Sequence, residues 1–521
     1  MILKSTDIEI PEDNPFLNDS LNRQDSAEAL TEFVLSANES LVICIDAPWG
    51  QGKTTFLRMW AQSLKNKQVP TIYFSAWEND FSDDALVSLI GEIGSSLAEL
   101  SKTGDESKAK EYFGKAKKVG VALLKKSLPV AAKIATAGAL DLDKVTEQAL
   151  AAFAESLAKE QIERYENSKK SIQHFRDALH AFTLSITDEE NPKPLVFIID
   201  ELDRCRPSYS IEILEKAKHF FNAENVIFIL GADKGQLGCS IRSIYGEGLN
   251  INGYLRRFID FDYLLPIPDK GKFVKALFVK HAFKDYFAQK QTRDAHYEHE
   301  QALEMFAELF ALYDLTLREQ EHCCSLLSLA IKTTPSDYNL YPLLLCFLIV
   351  LKVKKPDRYI NFISGSVSAV DLLNEIRSTP GGVQLLDSNY GTALEAFLAT
   401  CKTRRHDLSD AMAPYAAITE STEAADDSKN RAQRIIAISK DFSFYGVVGA
   451  LQRKSRLLVI SSHNSPIKYA AQDPGQTAVS RNTKKQKANQ REKSDPKPRA
   501  RLRGNPLRRA SARIGSLYPC R

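Results

Sequence analysis

The chain has 521 residues, of which 44% are hydrophobic and 26% charged, so it is expected to be a soluble globular protein of roughly two to four domains. Its formal charge of +3 conceals an asymmetry, because residues 481–521 carry 14 Lys and Arg against 2 Asp and Glu. That tail has a charge of +12 and the remainder −9. The eight cysteines show no paired metal spacing and no secretory signal precedes them, which disfavours a disulfide-rich secreted protein and predicts a cytoplasmic location.

The first elements of the chain lead to a glycine-rich loop. Residues 1–20 are polar and irregular, and a helix with one apolar face is predicted over residues 26–37. The apolar run at residues 41–45 predicts a buried strand, and the octapeptide APWGQGKT (residues 47–54) follows it directly. A helical pattern continues from residue 55. A strand, a glycine-rich loop with Gly-Lys-Thr and a helix, in this order, predict a phosphate-binding loop.

The chemistry of such a loop predicts a nucleoside triphosphate as its ligand. Its backbone N–H groups and the positive end of the helix dipole bind phosphates. Lys53 is expected to reach the β- and γ-phosphates, and the Thr54 hydroxyl to hold Mg²⁺. A surface turn before a core helix is the disfavoured alternative, because such a loop after a buried strand rarely lacks a ligand. The residues expected to contact the nucleotide are Ala47, Trp49, Gly50, Gln51, Gly52, Lys53, Thr54 and Thr55.

A second strand is predicted over residues 71–77 and a helix over residues 84–100, and residues 101–190 then read as a helical insertion. Within the insertion, residues 119–140 are long enough to raise the question of a membrane span. Three lysines in this stretch disfavour spanning, since each costs roughly 2.5–3.5 kcal/mol near the bilayer centre. A partly buried helical hairpin is favoured, and an interfacial helix that makes peripheral contact with the membrane is the alternative.

Further apolar runs at residues 195–199 and 226–232, with a final strand at residues 258–265, predict a doubly wound parallel α/β sheet. Asp200 and Glu201 follow the first of these runs. Asp200 is expected to hold Mg²⁺ through a water-mediated contact, and Glu201 to orient the attacking water as a general base. A small-molecule kinase has no need of a carboxylate that activates water, so the pair predicts a hydrolase.

Four more residues are candidates for contact with the phosphates. Asp233 ends the next strand, where a polar sensor of the γ-phosphate is expected, although a simple turn is an equal alternative. Arg256 and Arg257 precede the final strand, and either can act as an arginine finger in cis or from a neighbouring subunit, or form a salt bridge. Arg318 opens a later helix and can contact the γ-phosphate as a second sensor.

The C-terminal half is predicted to be helical over residues 270–415, which we interpret as a lid or effector domain. The run LYPLLLCFLIVL (residues 340–351) is too short to span a membrane and predicts a buried helix. His322-Cys323-Cys324 is interpreted as helix core rather than a metal site. Residues 416–470 are left unassigned because polarity rises between residues 420 and 440, and residues 471–521 are predicted to be a disordered basic tail.

Four motifs together resemble the KAP family of P-loop NTPases: WGQGKT (49–54), FSAW (74–77), IDELDRC (199–205) and YLRRFI (254–259). Their order, spacing and the long insertion agree with that family over about residues 14–360. The resemblance implies ATP hydrolysis on an additional-strand (ASCE) α/β core that is related to the AAA+ and STAND classes. It also implies a role in bacterial phage defence with partner proteins, at or near the inner membrane face, although the lysines in this insertion depart from the membrane helices of many members.

Three functions therefore remain open. The first is an ATP-driven switch or assembly ATPase in antiviral defence, acting with partner proteins and in some form of homo-oligomer. The second is a nucleic-acid-stimulated motor or loader, for which the basic tail would supply non-specific phosphate contacts. The third is a scaffold that binds nucleotide without turnover. The tail is also compatible with a solvated linker or a non-native terminus, and the sequence does not identify the trigger or the partners.

Overall fold

The computed structural model describes residues 8–126, 170, 173–187 and 192–444, without residues 38, 83, 102–104, 222, 290–294, 335–339, 402 and 404–406. All of these residues belong to one compact unit, Met1–Ser462. The predicted basic tail and the middle of the insertion, which includes most of residues 119–140, lie outside the described residues. None of the described helices is long and apolar enough to cross a membrane.

Five parallel strands form the central sheet. They are β1 (Leu41–Asp46), β2 (Thr71–Ser75), β3 (Leu195–Asp200), β4 (Val226–Ala232) and β5 (Phe261–Leu264). Their order across the sheet is β2-β3-β4-β1-β5, and every pair of neighbours is parallel. Because β4 lies between β1 and β3, the sheet has the additional strand that the motifs predict. The expected additional-strand α/β fold is therefore confirmed.

Helices precede, connect and follow the strands. They are α1 (Gln24–Ser36), α2 (Lys53–Asn66), α3 (Ala85–Leu100), α4 (Glu106–Lys126), α5 (Pro207–Phe221), α6 (Lys234–Tyr245), α7 (Ile251–Leu255), α8 (Lys270–Lys280), α9 (Phe283–Gln289), α10 (Ala295–Leu312), α11 (Leu317–Lys332), α12 (Pro342–Lys354), α13 (Pro356–Ser364), α14 (Ala369–Ser378), α15 (Gly382–Asp387), α16 (Asn389–Thr400), α17 (Leu408–Glu420) and α18 (Asp426–Phe444). A 3₁₀ turn, Leu202–Arg204, follows β3, and residues 173–185 are also helical.

Helices cover both faces of the sheet. In β1, Ile43 and Ile45 pack into a core that includes residues of α1 and α2. Their neighbours Val42 and Cys44 point to the opposite face and join a core that includes residues of α3 and α5. Alternation along a strand sends successive side chains to opposite faces, so an apolar run is buried on both sides. The doubly wound arrangement follows from this pattern.

The last strand is shorter than predicted. We expect a strand over residues 258–265, but β5 begins at Phe261. The preceding residues continue from α7 in a turn, in which the N–H groups of Phe258 and Ile259 both donate to the carbonyl of Leu255. Phe258 and Ile259 are buried in the core on one face of the sheet. Their apolar character therefore reflects burial in a turn, which a short window does not distinguish from a strand.

The helices α8 to α16 share a separate hydrophobic core that extends from Val274 to Cys401. At its centre, α12 is buried from Pro342 to Leu351. A helix that is apolar all round needs neighbours on every side, and α12 is the buried helix that the sequence predicts. Cys323 and Cys324 of α11 also lie in this core. The predicted helical region is therefore found, with α11 leading back towards the phosphate loop.

The polar segment after residue 415, which the sequence leaves unassigned, contains part of α17 and the 19-residue helix α18. Buried Glu395 of α16 connects these helices to the rest of the helical region. Its carboxylate accepts hydrogen bonds from Arg377, Tyr415 and Arg431. A small hydrophobic cluster around Met412 and Ile435 also holds them. Because the apolar face is short and the other contacts are polar, the sequence pattern does not predict these helices.

Candidate functional site

The glycine-rich loop joins the end of β1 to the start of α2. Gly50 and Gly52 both have φ of +77°, a conformation that residues with a side chain rarely adopt. Within the described residues no side chain caps the N-terminus of α2. Its first N–H groups can therefore bind an anion, assisted by the helix dipole. Ala47, in the place of the usual leading glycine, is buried and introduces no positive φ.

Lys53 is the first residue of α2, and its side chain extends back towards the start of the loop at Ala47. Its ammonium group donates a hydrogen bond to the carbonyl of Ala47 at 3.1 Å. The same nitrogen lies 3.7 Å from Oδ2 of Asp203. Lys53 is 8% exposed and lines the cleft above the loop, so a phosphate that enters the cleft meets a nearly desolvated cation.

Asp200, at the end of β3, is fully buried beside the start of α2. It accepts hydrogen bonds from the side chains of Thr54 and Tyr73, the latter at 2.8 Å. Burial raises the pKa of the Asp200 carboxyl, and these hydrogen bonds together with one from the Glu201 N–H oppose the rise. Thr54 and Asp200 thus bring a hydroxyl and a carboxylate together, which are the oxygen ligands that Mg²⁺ prefers. The donor set fits this ion.

A glycine in the neighbouring strand makes room for that carboxylate. A Cβ atom on Gly231 would lie 2.5 Å from Oδ1 of Asp200 and 2.5 Å from Cδ1 of Leu57. Any side chain at this position would therefore displace the carboxylate or the helix that carries the phosphate loop. A glycine inside an apolar strand is a sequence signal of close approach, and Gly231 carries that signal although it is not among the predicted site residues.

Glu201 adopts the left-handed conformation, with φ of 63°, directly after β3. One carboxylate oxygen accepts a hydrogen bond from the Ser75 hydroxyl at 2.8 Å, and the other pairs with Arg204. Arg204 also stacks over the ring of Trp77. The turn after β3 and the end of β2 thus hold the Glu201 carboxylate at the edge of the cleft, beside Asp200.

Asp203, which the sequence analysis did not assign to the site, lies among the candidate residues. Its Oδ2 accepts a hydrogen bond from the indole N–H of Trp49 and faces Lys53. Its Oδ1 is buried and has no hydrogen-bond partner within the described part of the chain. The 3₁₀ turn returns the chain towards the loop, which places a residue three positions after Asp200 in contact with Lys53.

A second unassigned residue, Arg23, supports the loop from below. Its guanidinium donates hydrogen bonds to the carbonyls of Gln51 and Gly52, at 2.8 and 3.1 Å, and to that of Pro266 at 3.4 Å. Burial lowers the pKa of Arg23 to about 10. The hydrogen bonds to the carbonyls of Gln51 and Gly52 restrain the backbone of the phosphate loop. No motif in the sequence indicated this role.

The helical region after β5 contacts the loop through the N-terminus of α11. The N–H of Arg318 donates to the carbonyl of Gly50 at 3.3 Å. A Cβ on Gly50 would lie 3.0 Å from Oγ1 of Thr316, which caps α11 together with Glu319. Arg318 is exposed and lines the cleft. The sequence predicts Arg318 near the γ-phosphate, and the structure places its backbone N–H against the loop.

The other predicted residues lie in different surroundings. Asp233 accepts a hydrogen bond from the N–H of Trp49 at 3.2 Å, and its second oxygen caps α6 through Gln236 at 3.1 Å. Asp233 therefore contacts the phosphate loop and also forms the turn that was the alternative interpretation. Arg256 and Arg257 are exposed and do not line the cleft in the part of the chain that the structure describes.

The cleft itself has a volume of about 1510 Å³ and lies between the phosphate loop, residues 8–21 and the helices α8 and α11. Its lining combines Thr54, Thr55 and Lys53 on the loop side with apolar residues of α8 and of residues 8–21. Charged groups at one end and apolar groups elsewhere suit a ligand that joins phosphates to an aromatic base. The site fits a nucleoside triphosphate with its divalent cation.

The additional-strand sheet, the positive-φ glycines and the Lys53–Thr54–Asp200 constellation together define a P-loop NTPase domain. A profile of the KAP family P-loop domain matches residues 23–368, which is about two thirds of the chain. The protein belongs to the KAP family, as the four motifs indicate. A comparison with curated proteins found no match to this chain.

Proposed function

We propose that this protein hydrolyses ATP, assisted by Mg²⁺, and uses the cycle as a switch. The observation that supports hydrolysis is the arrangement at the end of β3, where Asp200 is hydrogen-bonded to Thr54 and Glu201 follows at the edge of the cleft. Thr54 and Asp200 would hold the ion, which would neutralise charge on the phosphates. Lys53 would bind the β- and γ-phosphates, and Glu201 would orient the attacking water and take its proton.

The position of Glu201 suits this role because two groups restrain its carboxylate. Ser75 donates a hydrogen bond from β2, and Arg204 pairs from the turn after β3. Phosphoryl transfer depends mainly on positioning and charge neutralisation, so an oriented carboxylate is more useful than a mobile one. Arg256 or Arg257, which are exposed, would supply an arginine finger from a neighbouring copy of the chain.

The contact between the lid and the loop supports a switch. The capped N-terminus of α11 lies directly on Gly50, so a change in the loop is passed to the helical region through backbone contacts. Asp233 and Arg318 would report the γ-phosphate to this region. The role in phage defence, with partner proteins, follows from the resemblance of the motifs to bacterial family members.

Steady-state release of phosphate tests the proposal. We expect slow ATP hydrolysis by the wild type in the presence of Mg²⁺, and its loss in Lys53→Ala and Glu201→Gln. Lys53→Ala should also bind ATP weakly, whereas Glu201→Gln should bind it normally. A wild type that binds ATP without turnover would favour the non-hydrolysing scaffold. Strong stimulation by DNA or RNA would favour the motor or loader.

A further inference from the structure

Asp203 has no part in the proposed hydrolysis, yet it is among the most buried charged residues of the cleft. Its side chain is 1% exposed. A carboxylate that is withdrawn from water in this way is normally paired or hydrogen-bonded on both oxygens. Here only Oδ2 is engaged within the described residues, and Oδ1 is buried without a hydrogen bond.

The two partners of Asp203 both belong to the phosphate loop. The Lys53 ammonium lies 3.7 Å from Oδ2, and the indole N–H of Trp49 donates to the same oxygen. Lys53 is the residue that would bind the phosphates. The Asp203 carboxylate therefore presents to Lys53 a negative charge like that of a phosphate oxygen. It also accepts a hydrogen bond from Trp49, whose side chain is 46% exposed at the rim of the cleft.

We propose that Asp203 is a positioning residue that competes with the triphosphate for Lys53 and thereby sets nucleotide affinity. Without nucleotide, the Asp203 carboxylate interacts with both the Lys53 ammonium and the Trp49 indole. A bound triphosphate replaces Asp203 as the partner of Lys53, and the Trp49 side chain shifts because its hydrogen-bond acceptor has lost that ion pair. This inference rests on the proposed function only in requiring that a triphosphate binds at the loop.

Electrostatics in a desolvated site support the competition. Two anionic groups near one cation repel each other, and the repulsion is much stronger in the protein interior than in water. A neutral residue at position 203 removes this repulsion and leaves Lys53 free for phosphate. An ion pair with a purely structural role predicts the reverse, because its loss would loosen the loop and weaken binding.

The test is the equilibrium affinity for ATP with Mg²⁺, measured by titration calorimetry on the full chain. Asp203→Asn keeps an oxygen that can accept from Trp49 and removes the charge, and Asp203→Ser is a second neutral variant in case the amide impairs folding. Asp262→Asn is the matched control, because it removes the same charge from the 2.7 Å ion pair with Lys234 outside the cleft. Trp49→Phe removes the indole donor and keeps the carboxylate.

We expect at least one neutral variant to bind ATP about tenfold more tightly than the wild type, which corresponds to about 1.4 kcal/mol. Asp262→Asn should bind within about twofold of the wild type, and Trp49→Phe should not share the tighter binding of the neutral variants. Trp77 is exposed and also lines the cleft, so emission is measured in Trp77→Phe, where addition of ATP should change it and a further Trp49→Phe substitution should remove most of that change. Trp60 is buried in the core behind the loop and should contribute little.

Unchanged or weaker binding in both neutral variants would overturn the inference, as would equal tightening in Trp49→Phe. If wild type and variants all fail to bind ATP, the inference and the proposed function both fail. If the wild type binds ATP without hydrolysing it, the proposed hydrolysis fails and tighter binding by the neutral variants still supports the role of Asp203.

Discussion

Gly231→Ala should separate the position of Asp200 from its chemistry, because it adds one methyl group and changes no charge. That methyl carbon would lie 2.5 Å from Oδ1 of Asp200 and 2.5 Å from Cδ1 of Leu57, whereas such contacts stay beyond 3.0 Å in proteins. At least half an ångström of movement is therefore required in the carboxylate, in α2 or in β4.

The cost follows from where that movement falls. Overpacking of a well-filled core typically costs about 1–3 kcal/mol of unfolding free energy. A displacement of about 1 Å in a positioning group can lower a rate roughly 100-fold. Because Asp200 holds Thr54, we expect Gly231→Ala to lose between about 10-fold and 100-fold in ATP turnover at saturating Mg²⁺, together with a measurable fall in stability.

The assay compares urea unfolding and phosphate release for Gly231→Ala and Gly91→Ala. Gly91 is exposed in α3, and a Cβ there meets no atom within 4 Å. Alanine at Gly91 should stabilise the protein by up to about 1 kcal/mol and leave turnover unchanged. Wild-type stability and turnover in Gly231→Ala would refute the reasoning about the close approach of Asp200.

Three further predictions concern buried charges. Asp200→Asn should raise the melting temperature of the nucleotide-free protein at neutral pH, because burial raises the pKa of Asp200 in the folded protein. The wild type therefore loses stability as the pH rises from the ordinary pKa of an aspartate in the unfolded chain towards the raised folded pKa, and the gain of the variant should vanish below the ordinary value. Arg23→Ala should lose about 1.5–3 kcal/mol in unfolding free energy, because the hydrogen bonds from its charged guanidinium to two loop carbonyls are removed. The same loss should raise the KM for ATP. An unchanged free energy in urea unfolding and an unchanged KM would contradict the role of Arg23. Glu395→Ala should make residues 408–444 more sensitive to limited proteolysis, because the hydrogen bonds from Arg377 and Arg431 are lost, while ATP binding is retained. Protease resistance equal to that of the wild type would show that the Glu395 carboxylate does not hold these residues in place.

The sequence predicts the sheet and the centre of the site because both depend on local patterns. Apolar runs followed by polar residues locate β1, β3 and β4, and the spacing within the loop locates Lys53 and Thr54. The additional-strand fold is implied by the resemblance of the four motifs, and the strand order β2-β3-β4-β1-β5 confirms that fold. The helical region after β5 is likewise visible in the apolar run of α12.

The remainder depends on contacts between distant parts of the chain. Arg23 meets the loop across 28 residues or more, and no local feature marks it. Asp203 is close to Asp200 in sequence, but its contact with Lys53 requires the turn after β3 to fold back over the loop. The helix α18 buries only a short apolar face around Ile435, and its other contacts with the preceding helices include the polar one between Arg431 and Glu395. Tertiary placement of polar groups is the information that a single sequence does not show.

The most direct measurement of the central claim is a single-turnover experiment, with protein in excess over labelled ATP and Mg²⁺. The wild type should convert bound ATP to ADP, Glu201→Gln should hold ATP without converting it, and Lys53→Ala should leave ATP in solution. Conversion by Glu201→Gln at the wild-type rate, or the absence of bound nucleotide in the wild type, would contradict the assignment of this cleft as an ATP-hydrolysing site.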